Sequence, residues 1–185
     1  GEIELEQAIQ RAREGLWIMA GGQALGGSKR ALARLDIGSE RVLAKALAPL
    51  AGQYDYILLD SAPGWDTLTV NVLFYAQEIL APVSLEPLTI RGLLEFESRL
   101  EAIQEYHAIR LSYVLPTFAD GRVRKSAELL QQLQQHYGRL ICQPIRYNVR
   151  LSEAPAYGKS IFEYALHSTG AEDFQTLTER IARDG

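Results

Sequence analysis

Cysteine is almost absent from this sequence, since Cys142 is the only one among 185 residues. A single cysteine excludes a disulfide bond within the chain and is typical of proteins in a reducing compartment, so we expect a cytoplasmic location. Cys142 lies in a run of apolar residues, which favours a buried and inert thiol over a catalytic nucleophile.

Long apolar runs and an excess of positive charge are also missing. No apolar stretch approaches the ~20 residues that span a bilayer. The net charge of −4 and the isoelectric point near 5.5 argue against nucleic-acid binding driven by overall charge, so any such binding needs a local basic patch.

The three histidines lack the spacing of metal ligands. The sequence begins at Gly1 without a signal-peptide pattern, which indicates a cut N-terminus.

The segment YDYILLDSAP carries the clearest local signal. Tyr56 to Leu59 form a continuous apolar run of the kind found in parallel sheets, and Pro63 and Gly64 would end the strand. Asp60 would then lie at the carboxyl end of a buried strand, where open α/β sheets bind ligands. A carboxylate there can hold the water shell of Mg²⁺ beside phosphates. A carboxylate that only caps the next turn explains the same pattern equally well.

Strand and helix patterns alternate along the rest of the chain. Apolar runs predict further strands at Leu16 to Ala20, Ile79 to Leu85, Ile109 to Leu115 and Leu140 to Ile145. Helical spacing and capping residues predict helices at Glu2 to Glu14, Ser39 to Gly52, Asp66 to Gln77, Thr89 to Tyr106, Val123 to Tyr137 and Ala171 to Arg183. Asp66 is expected to cap its helix rather than to act as a catalytic base. The alternation predicts one α/β domain over residues 1–185, with a mainly parallel sheet and helices on both faces.

Four segments resemble, in the same order, the ParA/Soj chromosome- and plasmid-partitioning ATPases, which are relatives of MinD. YDYILLDSAPGWDTLTVNVL is similar to the Walker B and switch II segment of that family, with Asp60, Pro63 and Asn71 in register. ILAPVSLEPLTIRGLLEF and VLPTFADGR are similar to the elements that follow, and IRYNVRLSEAPAYGKSIFEYALHSTGAEDF to the C-terminal signature. NVRLSEAP is the most specific match. The resemblance implies a P-loop NTPase-like fold of the deviant Walker A class.

The phosphate-binding loop of that family is missing from these 185 residues. Family members begin with a strand and a loop of the type KGGVGKTT, so the resemblance implies a domain that is truncated at its N-terminus. The string from Gly22 to Lys29 has G-x-x-x-x-G spacing, but Ser28 and Lys29 stand in the wrong order to reach phosphate and Mg²⁺. We therefore expect a plain glycine-rich turn there.

The missing strand has a structural consequence. In the family it lies beside the strand that carries Asp60, so its loss would leave backbone groups of Tyr56 to Leu59 unpaired on an apolar edge. We expect a rearranged segment such as Leu16 to Ala20, a second copy of the chain or the missing piece itself to cover that edge.

The resemblance also implies roles for single residues. Asp60 would act in catalysis by hydrogen-bonding the water shell of Mg²⁺, and the loop with Pro63 would sense the γ-phosphate. The adenine base would lie between two loops, formed by Thr117 and Phe118 and by Arg146, Tyr147 and Asn148. Phe118 could equally be a core residue, and the family usually has Pro-Arg in place of Arg146-Tyr147. ATP or ADP and Mg²⁺ are thus implied for the full-length protein, and no cofactor is expected for this chain alone.

The resemblance also implies a ParB-like partner, a homodimer and nonspecific DNA binding. It implies no membrane association, and it implies a protein that is associated with the nucleoid. Arg122 and Arg150 match DNA-facing positions, and a solvated charged surface is the alternative. The residues that could widen this patch are Arg124, Lys125, Arg146 and Lys159. Two functions remain open: a portion of an ATPase that segregates DNA or other cargo, or a ParA-like DNA- or partner-binding module without ATPase activity.

Overall fold

The computed structural model describes residues 4–22, 24–32, 34–35, 38–62 and 64–185. The chain divides into two compact units between Gln77 and Glu78. None of the described helices is long and apolar enough to cross a membrane.

The first unit contains α1 (Leu5–Ala8), β1 (Ile9–Arg13), β2 (Leu16–Met19), α2 (Ala24–Leu32), α3 (Val42–Leu47) and α4 (Thr67–Tyr75). The second contains β3 (Glu78–Ser84), α5 (Pro87–Gln104), β4 (Arg110–Thr117), α6 (Arg124–Tyr137), α7 (Val149–Glu153), α8 (Ile161–Tyr164) and α9 (Thr169–Asp184). Turns of 3₁₀ helix extend α3 at both ends. The predicted helices that correspond to α3, α4, α5, α6 and α9 are confirmed, with shifts only at their ends.

An antiparallel hairpin begins within the segment for which the sequence predicts a helix, Glu2 to Glu14, and includes its last six residues. β1 pairs with β2, Ile9 lies opposite Met19, and Gly15 adopts the left-handed conformation in the turn, with φ 67°. α1 has only four residues and no side-chain cap at Glu4, and so short a helix does not sustain itself. The aromatic and β-branched residues of β2 favour a ladder instead. The helix prediction is wrong here, and residues 1–3 lie outside the described part.

The apolar run Tyr56 to Leu59 does not form the predicted strand. It belongs to no ladder among the described residues, and Leu58 is 89% exposed. β2, one of the three elements that we expected to cover this run, pairs with β1 instead. The ring of Trp17 in β2 contacts that of Tyr54, two residues before the run, with 5.5 Å between the ring centroids. A strand needs a neighbour for its backbone groups, and the described residues supply none. Pairing with a second copy stays a prediction.

A buried asparagine links α4 to the beginning of α3. Asn71 is fully buried, at 0% exposure. Its amide oxygen accepts from the backbone N–H of Leu43 at 3.0 Å, and its amide nitrogen donates to the carbonyls of Ser39 and Thr67 at 2.7 and 2.8 Å. Because these bonds use both polar atoms of the buried side chain, they offset its desolvation. The Asn71 that the resemblance singles out is therefore a structural link.

Residues 24–29 of the glycine-rich string lie in the helix α2 rather than in the predicted turn. Gly26 and Gly27 lie inside α2, and the ammonium of Lys29 donates to the carboxylate of Asp66. Asp66 is the predicted N-cap of α4, and it accepts from the backbone N–H groups of Leu68 and Thr69 at 3.0 Å each. The Lys29 ammonium, and after it the Thr69 N–H, lower the pKa of Asp66. Lys29 of this string thus pairs with the carboxylate that caps the N-terminus of α4.

The sheet of the second unit is a parallel pair. β3 and β4 run side by side from Glu78 opposite Arg110 to Ser84 opposite Thr117, which confirms both predicted strands. The predicted strand Leu140 to Ile145 lies next to β4 but joins it through one isolated bridge, between Ile141 and Val114. Pro144 interrupts it, and a proline cannot donate to a ladder.

Alternate residues of β4 pack into two cores on opposite faces of this sheet. Val114 contacts the core that contains Leu133 of α6, whereas Tyr113 and Leu115 belong to the core that contains Leu177 of α9. This period of two is that of a strand buried on both faces. Cys142 lies in the second core, 2% exposed, so the predicted burial of the thiol is confirmed, and that burial raises its pKa. The α/β arrangement with helices on both faces is thereby confirmed for this unit.

Replacing Asp66 tests the cap and the ion pair separately. Asp66→Ala removes the acceptor for two N–H groups, so we expect the free energy of unfolding to fall by about 1 kcal/mol in urea titrations. Asp66→Asn keeps a capping oxygen and loses only a half-exposed ion pair, so we expect less than about 1 kcal/mol.

The pH dependence follows from the lowered pKa of Asp66 in the folded chain. The stability advantage of wild type over Asp66→Asn should be complete at neutral pH and should disappear as the pH falls through that lowered value, below about 4. An advantage that persists at pH 2, or an Asp66→Ala variant as stable as wild type, would contradict this account.

Candidate nucleotide-binding site

Asp60, the predicted magnesium-site residue, lies in the first unit. It is exposed, and its carboxylate has no hydrogen bond or ion pair to another described residue. The segment that carries it has no regular secondary structure. Asp60 is therefore accessible, but it does not end a strand as the sequence predicts. Pro63 lies outside the described residues.

The loop after β4 has an unusual backbone. Thr117 is the last residue of the strand, and Phe118 follows in the left-handed region at φ 53°. Among the described residues, Phe118 is the only one other than glycine with a positive φ. This conformation is unfavourable for a bulky side chain and typically persists where the surroundings enforce it. The ring is 66% exposed, so Phe118 is not a core residue.

Backbone hydrogen bonds hold this loop against the second predicted base-binding loop. The N–H of Ala119 donates to the carbonyl of Ile145 at 3.1 Å, and the N–H of Tyr147 donates to the carbonyl of Ala119 at 3.0 Å. The Tyr147 side chain is 60% exposed. The structure therefore brings the loops of Phe118 and Tyr147 together, with an exposed aromatic side chain on each.

Arg146 lies between these loops and α9. Its backbone N–H donates to Asp173 at 2.8 Å, and its guanidinium donates to both oxygens of the same carboxylate at 2.7 to 3.0 Å. It also reaches Glu172 at 3.1 Å and the carbonyl of Thr169 at 3.3 Å. Asp173, and after it Glu172, raise the pKa of the Arg146 guanidinium. All these partners lie in the first five residues of α9.

Two further contacts fasten the following residues to the same end of α9. Asn148 caps α7 by accepting from the N–H of Arg150, and its amide nitrogen donates to the hydroxyl of Thr169, both at 2.8 Å. Gly170 lies so close to Leu151 that a Cβ atom there would meet the leucine at 2.8 Å. Only glycine permits this approach without a shift of the neighbour.

The two predicted DNA-binding arginines are each paired with a nearby carboxylate. Arg122 forms a two-pronged ion pair with Asp120, at 2.7 and 2.9 Å, which lowers the pKa of Asp120 to about 2. Arg150 pairs with Glu153 at 3.0 Å. Both arginines remain more than half exposed. A phosphate group would therefore have to compete with a carboxylate at each position.

Sequence reasoning missed the residues of α9 that hold the second loop. Asp173 is the clearest case, because its side chain is 0% exposed in a helix whose other buried positions are small or apolar. A carboxylate in such a helix gives a weak signal, since most carboxylates are exposed. Ser168 caps α9 in the structure, which shows where the helix begins but not which residues it contacts.

Known proteins resemble this chain in sequence over most of its length. The family described as an AAA domain matches residues 1–113. The sporulation initiation inhibitor protein Soj of Bacillus subtilis is 30% identical over 80% of this chain, which spans 60% of that protein. The chromosome partitioning protein ParA of Myxococcus xanthus is 29% identical over 76% of this chain, which spans 51% of that protein.

Solved structures agree on the fold. Cobyrinic acid a,c-diamide synthase from Mycobacterium smegmatis, with bound ADP and magnesium, matches 98% of this chain and 68% of its own at 25% identity, with a TM-score of 0.79. Apo McdA of Cyanothece matches 97% of this chain and 74% of its own at 20% identity, with a TM-score of 0.83. The fold is therefore α/β and P-loop NTPase-like, and the chain belongs to the ParA/Soj family of partitioning ATPases.

Proposed function

We propose that this chain is the C-terminal portion of a ParA-type partitioning ATPase, in which it supplies the adenine-binding loops and the switch II carboxylate. The observation that carries this proposal is the pairing of the Phe118 and Tyr147 loops, each with an exposed aromatic side chain. Aromatic faces stack on a planar base. The complete protein would use ATP-dependent dimerisation and nonspecific DNA binding to segregate DNA or other cargo with a ParB-like partner.

The proposed magnesium contact rests on Asp60. Mg²⁺ keeps several waters and is held through few carboxylates, and an exposed Asp60 without another described partner fits such a contact. When bound, the ion would neutralise charge on the phosphates during transfer. The ADP and magnesium in the Mycobacterium smegmatis relative support the same pair of cofactors for the complete protein.

A binding module without ATPase activity is the second candidate. The 185 residues contain no Walker A loop, and the nearest string forms α2, whose Lys29 is engaged by Asp66. Because phosphoryl transfer depends on backbone amides and a lysine around the phosphates, this arrangement favours a chain that binds without hydrolysing.

Adenosine tests the base site directly, because it carries the base without phosphates. We expect saturation-transfer NMR to show contact between the adenine protons and the aromatic rings of the chain. Phe118→Ala and Tyr147→Ala should each weaken binding about two- to tenfold, which corresponds to one aromatic contact. Tyr106→Ala, at an exposed tyrosine outside the site, is the matched control. Binding that is indifferent to Phe118 and Tyr147, or undetectable in wild type, would contradict the base site.

Hydrolysis is expected to be absent from the isolated chain. Asp60 represents only the switch II side of the site, and no described feature cradles the phosphates. Phosphate release from ATP and Mg²⁺ should therefore equal the rate without protein, in wild type and in Lys29→Ala alike. Turnover that is lost in Asp60→Ala would overturn this expectation, and turnover lost in Lys29→Ala would assign a phosphate role to α2.

DNA binding is tested by charge reversal at the two predicted positions. Arg122→Glu and Arg150→Glu should weaken binding equally on two duplexes of unrelated sequence, and each should lower the salt slope by about one for every phosphate that is no longer neutralised. Arg91→Glu is the matched control, because Arg91 is exposed, is paired with Glu95 and lies outside the predicted patch. An equal decrease in affinity in all three variants would indicate a general charge effect, and an unchanged affinity would remove both residues from the DNA surface.

A further inference from the structure

Asp173 is a deeply buried charged side chain at the beginning of α9. Its side chain is 0% exposed, whereas that of its partner Arg146 is 46% exposed. A buried carboxylate is costly unless it is paired and hydrogen-bonded. Asp173 meets that requirement through one residue, since Arg146 supplies both the backbone N–H and the guanidinium. The carboxylate therefore fixes the backbone of Arg146 as well as its side chain.

The fixed backbone is part of the second base-binding loop. On one side of Arg146, the carbonyl of Ile145 accepts from Ala119, and on the other side the N–H of Tyr147 donates back to Ala119. Any rotation of the Arg146 peptide units would break these bonds to the neighbouring loop. The tie to Asp173 thus opposes slippage of the Tyr147 loop past the Phe118 loop.

We propose that Asp173 is a positioning residue for the adenine base. It holds Arg146 in place, so that the Tyr147 loop stays in register with the Phe118 loop. Arg146 itself does not contact the nucleotide. This inference rests on the proposed base site and changes the role that the sequence predicts for Arg146. Arg146 is also a weaker candidate for the DNA-binding patch than Arg122 and Arg150, because its guanidinium is held by a fully buried carboxylate, Asp173, as well as by Glu172.

A double-mutant cycle with adenosine shows whether Arg146 only positions the loop or contacts the base itself. If Asp173 acts only through Arg146, Asp173→Ala should weaken adenosine binding about two- to tenfold, and the double variant should be no weaker than Asp173→Ala. Arg146→Ala should weaken binding by no more than Asp173→Ala, because the backbone N–H of residue 146 can still donate to Asp173. If Arg146 contacts the base, Arg146→Ala should weaken binding more than Asp173→Ala, and this outcome would overturn the proposal. Asp173→Asn keeps one acceptor oxygen and should lie between wild type and Asp173→Ala, and it serves if the alanine variant fails to fold.

Leu177→Ala is the matched stability control. Leu177 packs α9 onto the second core and takes no part in the hydrogen bonds that join Asp173, Arg146 and Ala119, so this variant should lower the free energy of unfolding and leave adenosine affinity unchanged. The amide of Tyr147 should exchange faster in Asp173→Asn than in Leu177→Ala under native conditions. An equal decrease in affinity in Leu177→Ala and Asp173→Asn would make the effect one of global stability and overturn the proposal.

The proposed base site and the role of Asp173 can fail separately. Wild-type chain that binds no adenosine would overturn the base site, and the positioning role with it. Wild-type binding that is weakened by Phe118→Ala but is unchanged in both Asp173→Ala and Asp173→Asn would overturn the positioning role alone.

Discussion

The ion pair between Asp173 and Arg146 is the constraint on which the candidate site depends. A fully buried carboxylate accepts only a narrow range of arrangements, because the penalty for an unpaired charge in the interior exceeds most other single terms. Its partner belongs to a loop that two backbone hydrogen bonds join to Ala119. The strand β4, the loop after it and the N-terminal turn of α9 are thereby brought into one arrangement within the second unit.

The helices could be predicted from the sequence because their signals are local. Apolar residues at a period of 3.6, caps such as Asp66, and a terminating Gly52 act within a few residues, so α3, α4, α5, α6 and α9 lie where the pattern puts them. α2 is an exception, because its paired glycines suggest a turn more strongly than a helix. α7 and α8 were not predicted either, and they have only five and four residues.

Strands are harder to predict from the sequence, because they depend on neighbours that are distant in sequence. The run Tyr56 to Leu59 has the composition of a buried strand, yet it has no partner among the described residues and remains exposed. In β1, pairing with β2 overrides a helical spacing. At Leu140 to Ile145, one proline reduces a predicted strand to one isolated bridge.

The candidate site also has a part that could be predicted from the sequence and a part that could not. Its loops could be found through the resemblance, since motifs such as NVRLSEAP are contiguous. The contacts that position these loops could not be predicted, because Arg146 and Asp173 are 27 residues apart in sequence. The pairing of Arg122 and Arg150 with Asp120 and Glu153 was equally hidden, although each carboxylate stands only two or three residues away. Charge patterns show which residues are present, and only geometry shows which are already engaged.

Phe118 places stability and ligand binding in opposition. Its left-handed backbone costs on the order of 1–3 kcal/mol, which glycine would not incur, and glycine would also remove the exposed ring. Selection for thermal stability alone would therefore tend to replace the side chain that the proposed base site uses. Engineering that aims at a more robust chain would lose this ring first, with no sign of damage in the core.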